Sequence, residues 1–312
     1  MSKPAPKNLA ASVHHRLLEK AKESNRTFNE LLLYFGIERF LYRLSCSPHA
    51  KTFVLKGALM LTVWKIHASR STKDIDLMGK MPNDAGKVED VFKRICEQPC
   101  VADGLEFDPS TVTTQPITAD AEYQGLRVQF TGHLGNARIP MQIDIGFGDQ
   151  VHPLPVRESY PTLLDFPAPE LSTYTRESAV AEKFHAMVKR GMLNSRMKDF
   201  FDIYMLAKQF SFSGKVLAEA VSRTFEARHT ELPEEPVAFS RAFMADTAKQ
   251  AQWRGFIRKA RAQGIPQDFG TVVTAVSDLL LPVSIAVARH APFSGTWEPP
   301  GPWQYPKVQP KP

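Results

Sequence analysis

Cysteine is scarce in this chain of 312 residues: Cys46, Cys96 and Cys100 are the whole complement. An odd number, with no second close pair and no neighbouring histidines, excludes a disulfide framework and a Cys/His zinc site and leaves ordinary reduced thiols. No run approaches the roughly 18 consecutive apolar residues of a membrane helix. The opening MSKPAPKNLAASVHHRLLEK also lacks the apolar core of a secretory leader. A cytoplasmic protein without a membrane partner is therefore expected. The pattern GxxxxGK[ST] is missing, and the nine histidines show no spacing that pairs one with a Ser or Cys nucleophile.

The composition that remains, 43% hydrophobic and 23% charged, is that of a globular protein able to bury a full core in one large domain or two packed ones. A formal charge of +6 permits a nucleic-acid or nucleotide partner without requiring one.

Apolar residues near a 3.6-residue period predict helix from Ala11 to Leu44. Phe53-Val54-Leu55, then Lys56-Gly57, then Ala58 to Ile66 read as strand, tight turn and helix, with a polar loop from His67 to Thr72. LEF, TVTT, LRVQF and IPMQIDIGF, between Leu105 and Phe147, read as strands, the last two joined by a turn at Gly135-Asn136. After the proline-rich link His152 to Pro169, helix is predicted over Arg176–Lys189, Met197–Phe210, Gly214–Glu226, Ser240–Ala262 and Thr271–Ala288. The expectation is an α+β chain with four parts. These are a helical segment at 1–50, a mixed sheet with flanking helices at 51–165, a helical part at 166–290 and a proline-rich tail at 291–312. The tail should be extended or disordered unless its Trp and Tyr residues dock on the body.

In Lys73-Asp74-Ile75-Asp76-Leu77 a β conformation buries Ile75 and Leu77 and places both carboxylates on the other face, two residues apart. Such a pair repels unless a cation lies between, and hard oxygens so spaced suit Mg²⁺ shared with substrate phosphates. Solvated acidic pairs on strands are commoner than metal sites, so context has to decide. Gly57 lies about seventeen residues upstream. A glycine at a strand-to-helix turn admits backbone N–H groups to a phosphate, although a purely structural turn is equally open.

In Ile139 to Phe147 the odd positions are apolar, leaving Gln142 and Asp144 on the opposite face. Asp144 is either a third carboxylate, if its strand lies beside the first, or only an outward polar residue. Two metal ions among three carboxylates support in-line attack at a nucleotide α-phosphate.

On the helix Arg176 to Lys189, Lys183 lies at the edge of the apolar face while Glu182 points away. Asp199 is directed between Ile203 and Leu206 on an apolar face, flanked by Asp202, and so wants a partner. Lys183 is one partner, or it contacts a triphosphate with Asp199 orienting it; the alternative makes Asp199 a helix N-cap.

These motifs together resemble the AbiEii/AbiGii toxin family. The likeness rests on ordered segments between about residues 12 and 210, among them FVLKGALML, RSTKDIDLMG, YQGLRVQF, IPMQIDIGFGD, VAEKFHAMV and NSRMKDFFDIY. It implies a nucleotidyltransferase head followed by a helical part, as in DNA polymerase β-type transferases. It implies Gly57, Asp74 and Asp76 as the signature, Asp74, Asp76, Lys183 and Asp199 as catalytic residues, and Asp74, Asp76 and Asp144 around Mg²⁺ or Mn²⁺. Lys56, Gly57, Ala58, Arg70, Thr72, Lys183, Arg196, Lys198 and Asp202 are the implied nucleotide contacts. Ala58 stands where relatives often carry serine, which removes one hydroxyl from the phosphate site. Thr72 either replaces that hydroxyl or merely helps the strand begin.

The implied activity is transfer of a nucleoside monophosphate from a triphosphate to an RNA, at the acceptor end of tRNA. The implied setting is a bacterial toxin–antitoxin or phage-defence system with a cognate antitoxin. Modification of a protein hydroxyl and a non-catalytic nucleotide-binding module are the competing readings. The basic stretches Lys189-Arg190, Arg196–Lys198 and Arg254–Arg261 suit an RNA partner, and equally suit solvated helix faces.

Overall fold

The computed structural model describes residues 8–66, 72–117, 125–260 and 264–306. Arg70, Arg261 and most of the predicted loop at His67 to Thr72 therefore lie outside the described residues. The chain divides into two compact units. The first, the sheet unit, runs to Val63, then from Thr72 to Gly148 and from Val156 to Thr173. The second takes Trp64–Ile66, Asp149–Pro155 and the described residues from Tyr174 onward.

The sheet unit opens with helices α1 (Leu9–Ser24) and α2 (Phe28–Cys46). The single helix expected from Ala11 to Leu44 is interrupted because Asn25 adopts a left-handed conformation (φ 52°), and Thr27 starts α2 by accepting the Glu30 N–H. Asparagine tolerates that conformation, and threonine is a good N-cap. The unit continues with β1 (Phe53–Lys56), α3 (Leu59–Val63), β2 (Ile75–Gly79), α4 (Ala85–Cys96), β3 (Leu105–Ile117), β4 (Gly125–Leu134), β5 (Ala137–Phe147), β6 (Val156–Ser159) and β7 (Glu170–Thr173). The seven strands form one mixed sheet in the order β3-β4-β5-β2-β1-β7-β6, parallel only at β2/β5 and β1/β7.

Ile139, Met141, Ile143 and Ile145 are buried, as are their cross-strand partners Phe130, Val128 and Leu126. Gly36 on α2 lies against Ile139 and Met141, where a Cβ would come within 3.1 and 3.2 Å. Phe40 of α2 joins Phe92 of α4 and Phe107 and Phe130 of the sheet, with centroids 4.9–5.8 Å apart. The apolar alternation thus buries one face under α2 and α4 and leaves the other polar. The β4–β5 hairpin turns at Gly135-Asn136 with Gly135 at φ +56°, as its sequence predicts.

The helical unit comprises α5 (Arg176–Arg190), α6 (Met197–Gln209), β8 (Phe212–Ser213), α7 (Gly214–Ala227), α8 (Arg241–Ala245), α9 (Thr247–Ala260), α10 (Phe269–Ala288), β9 (Thr296–Trp297) and β10 (Trp303–Gln304). The helix expected over Ser240–Ala262 is split at Asp246. Although α10 contains no unbroken apolar run of about 18 residues, it is long and apolar enough on average to cross a membrane. Val272, Val273, Val276, Leu279, Leu280 and Val283 are instead buried in the unit's own core. The proline-rich tail meets the docking condition set by its sequence. Trp297 and Trp303 are buried and donate their indole N–H groups to the carbonyls of Ala207 (2.8 Å) and Leu279 (3.0 Å).

Candidate active site

On the polar face of the sheet, register builds a row of charged side chains. Lys56 on β1 lies opposite Asp76 on β2, Asp76 beside Asp144 on β5, and Asp144 opposite Arg127 on β4. All four are half-buried. The condition on which Asp144 would join Asp74 and Asp76, that its strand lie beside theirs, is therefore met, with Asp76 and Asp144 in register. Arg127 donates from Nε to Asp144 Oδ1 and from Nη2 to Oδ2, both at 2.8 Å. Asp144, Asp74 and Asp76 all push the Arg127 guanidinium further toward its charged form, with the bond to Asp144 the largest contribution.

Gly57 stands at φ +73°, directly against the Asp76 carboxylate, so that a Cβ there would collide with it. Glycine is required twice, for the left-handed backbone and for the space the carboxylate occupies. The helix it was expected to open is short, only Leu59–Val63, and Ala58 is buried. Thr72 donates its backbone N–H to the Tyr34 hydroxyl (3.1 Å) and its own hydroxyl to the Asp74 carbonyl (3.3 Å).

Asp74, Asp76 and Asp144 supply hard oxygen donors of the kind a divalent cation shared with phosphates prefers. Among the described residues no group of three or more His, Cys, Asp or Glu side chains is gathered closely enough to hold an ion alone. Both oxygens of Asp144 are spent on Arg127. The arrangement fits a cation held by two carboxylates and completed by substrate oxygens.

A second constellation belongs to the helical unit. Asp199 and Asp202 on α6 are fully buried. Lys183 on α5 reaches Asp202 at 3.0 Å and Asp199 at 3.9 Å, and Arg196 reaches Asp199 at 2.6 Å through Nε. Asp199 lies inside the first turn of α6, and Arg196 holds the cap position, so the N-cap alternative is excluded. Buried carboxylates demand such partners, because an unpaired charge in the interior costs several kcal/mol. Lys198 is exposed on the same turn.

Sequence reasoning left three participants unnamed or misplaced. Arg127 falls on the outer alternation of LRVQF, a signal that was legible. Glu182, expected to point away, bonds the Tyr174 hydroxyl (3.0 Å) and Arg228 (3.2 Å). Lys249 is buried and donates to the carbonyls of Met192 (2.7 Å) and Asn194 (3.2 Å), bracing the loop before α6, where Asn194 Oδ1 accepts the Arg196 N–H. No motif marks it.

The model of the family described as "Nucleotidyl transferase AbiEii toxin, Type IV TA system" matches residues 39–275, well over half the chain. The chain belongs to that family. An AbiEii nucleotidyltransferase takes a nucleoside triphosphate and, in general, a divalent metal, and type IV systems pair the toxin with an antitoxin. No curated protein matches the chain. Two solved structures from Helicobacter pylori are similar. One, reported as a candidate nucleotidyltransferase, has 12% identity and a TM-score of 0.42, covering 84% of this chain and 94% of its own. The other, JHP933, has 13% identity and a TM-score of 0.40, covering 81% and 89%. Likeness at that level carries no residue-level conclusion.

Proposed function

We propose that this AbiEii protein transfers a nucleoside monophosphate from a nucleoside triphosphate to the 3′ end of an RNA, the acceptor end of tRNA, in the cytoplasm of a bacterium where it acts as a toxin or in phage defence. The observation that carries the reading is the register of Asp76 beside Asp144, with Gly57 seated against the Asp76 carboxylate. Asp74 and Asp76 would hold Mg²⁺ or Mn²⁺, with Asp144, the third carboxylate, beside them and bound by Arg127. Bound there, a divalent cation neutralises charge on the phosphates and on the attacking oxygen.

The residues of the chain do the rest. Lys56 and the backbone around Gly57 and Ala58 receive the phosphates. Arg70 and Thr72 precede Asp74 in sequence and add contacts. Lys183, oriented by Asp199 and Asp202, supplies a cation for the triphosphate, as the family likeness implies, with Arg196 and Lys198 as further contacts. The acceptor hydroxyl oxygen bonds to the α-phosphorus, the bond from that phosphorus to the bridging oxygen breaks, pyrophosphate leaves with the electron pair, and the hydroxyl proton passes to water.

Incubation with labelled triphosphates and total tRNA tests this. Label should enter tRNA and vanish with Asp74→Ala. Label confined to a protein band that survives RNase would replace RNA by a protein hydroxyl as the acceptor.

A further inference from the structure

The row across the sheet has two different ends. Gly57 and Lys56 stand at one end, beside Asp76, and Arg127 stands at the other, beyond Asp144. In-line displacement puts the attacking oxygen and the leaving pyrophosphate on opposite sides of the α-phosphorus. If the phosphates take the Gly57 end, the acceptor must approach from the Arg127 end. This step rests on the nucleotidyl-transfer reading given above.

The Arg127 end offers polar groups that face solvent. The guanidinium binds Asp144 side-on through Nε and Nη2, which fixes its plane. Its Nη1, with two N–H donors, bonds none of the described residues, and the side chain is 35% exposed. Further along the same face, Gln129 lies opposite Gln142 and bonds it at 3.3 Å, and Gln115 lies opposite Arg127 and reaches Gln129 at 3.5 Å. Gln115 and Gln129 are exposed. The surface beside the carboxylates is thus a neutral ladder of amides headed by one arginine. Amides can donate to and accept from ribose hydroxyls and base edges without adding charge.

We infer that Arg127 binds a backbone phosphate of the acceptor RNA near its 3′ end, with Gln129 and Gln142 beneath the strand that follows. Arg127 is then an acceptor-binding residue, distinct from the nucleotide contacts at the Gly57 end.

The experiment measures two affinities on the full chain. Fluorescein-labelled tRNA is titrated without nucleotide or metal, followed by anisotropy across a salt series. A fluorescent triphosphate is titrated separately with Mg²⁺. Arg127→Gln should weaken tRNA binding roughly tenfold and lower the slope of log affinity against log salt by about 0.7–0.9, the value of one phosphate contact. Triphosphate affinity should stay essentially unchanged, because Arg127 stands at the end of the row away from Lys56 and Gly57. Gln129→Glu, at an exposed position that leaves folding intact, should also weaken tRNA binding selectively. Equal losses of both affinities in Arg127→Gln would mean that it only holds Asp144, and would overturn the inference. So would tRNA binding that neither substitution alters. Failure of the unaltered chain to bind tRNA at all would remove the RNA acceptor itself, and this inference with it.

Discussion

The two candidate clusters, one in each unit, hold their aspartates in different ways. In the sheet unit Asp76 and Asp144 are half-buried on a polar sheet face, brought together by strand register. In the helical unit Asp199 and Asp202 are wholly buried, and Lys183 and Arg196 stand within ion-pairing distance of them. Like-charged carboxylates gathered on a half-exposed face can take a further cation from outside even where one of them, Asp144, is bound by Arg127; carboxylates in a core depend on the cations folded in with them. On the proposed reading the same residue type serves chemistry in one cluster, and in the other fixes the position of a lysine.

The contrast breaks most readily on activity. Asp74→Ala should lower nucleotide transfer about a thousandfold, roughly 4 kcal/mol of barrier, with a smaller change in its urea-unfolding midpoint than a substitution in the buried cluster produces. Transfer near the original rate would end the assignment of the sheet carboxylates to catalysis.

Asp199→Ala should do the reverse in kind. Removing the buried carboxylate that Arg196 binds, while Lys183 keeps Asp202, should cost about 3 kcal/mol of stability, the low end for a broken buried pair, read as a lower midpoint in urea. A normal midpoint with lost activity would place Asp199 with the sheet carboxylates, and the distinction between the units would fail.

Within the sheet unit Glu38 offers a sharper test, since it is a core carboxylate of the helical-unit kind. Burial pushes its carboxyl up to about 7, against the opposing pull of the Leu163 N–H and Arg39. With the folded value above the unfolded one, the group's contribution to stability is complete below about pH 4.5 and is lost as pH rises through 7. The wild-type chain should lose up to about 3 kcal/mol relative to Glu38→Gln between pH 4.5 and 8. Parallel pH profiles for the two proteins would show that Arg39 and Leu163 fully offset the burial.

The smallest effect belongs to the tail. Trp303→Phe keeps most of the buried ring but loses the hydrogen bond to the Leu279 carbonyl, which should lower stability by about 1 kcal/mol in urea unfolding. An unchanged midpoint would mean that the ring alone secures the tail.

Much of this was legible because alternation is a strong local signal. The period-2 patterns at Asp74–Asp76 and Gln142–Asp144 set the faces correctly, and Gly135-Asn136 marked the hairpin. Asp199 was readable as a core-facing charge in need of a partner. What escaped depended on backbone choices made by single residues, or on contacts remote in sequence. Asn25 breaks a helix that periodicity alone would continue. Lys249 finds the carbonyls of Met192 and Asn194 from more than fifty positions away. Arg127 lay on a correctly read strand, but its tie to Asp144 across the hairpin becomes visible only once the register is known.

The seating of Trp297 and Trp303 bears on how the protein is handled. A chain shortened to end at Ala291, tempting because the remainder is so rich in proline, would uncover the apolar seats on α6 and α10 where those rings lie. The segment that reads as a dispensable trailer is the plug of the helical unit, and preparations that keep it should stay dispersed at concentrations where trimmed ones clump.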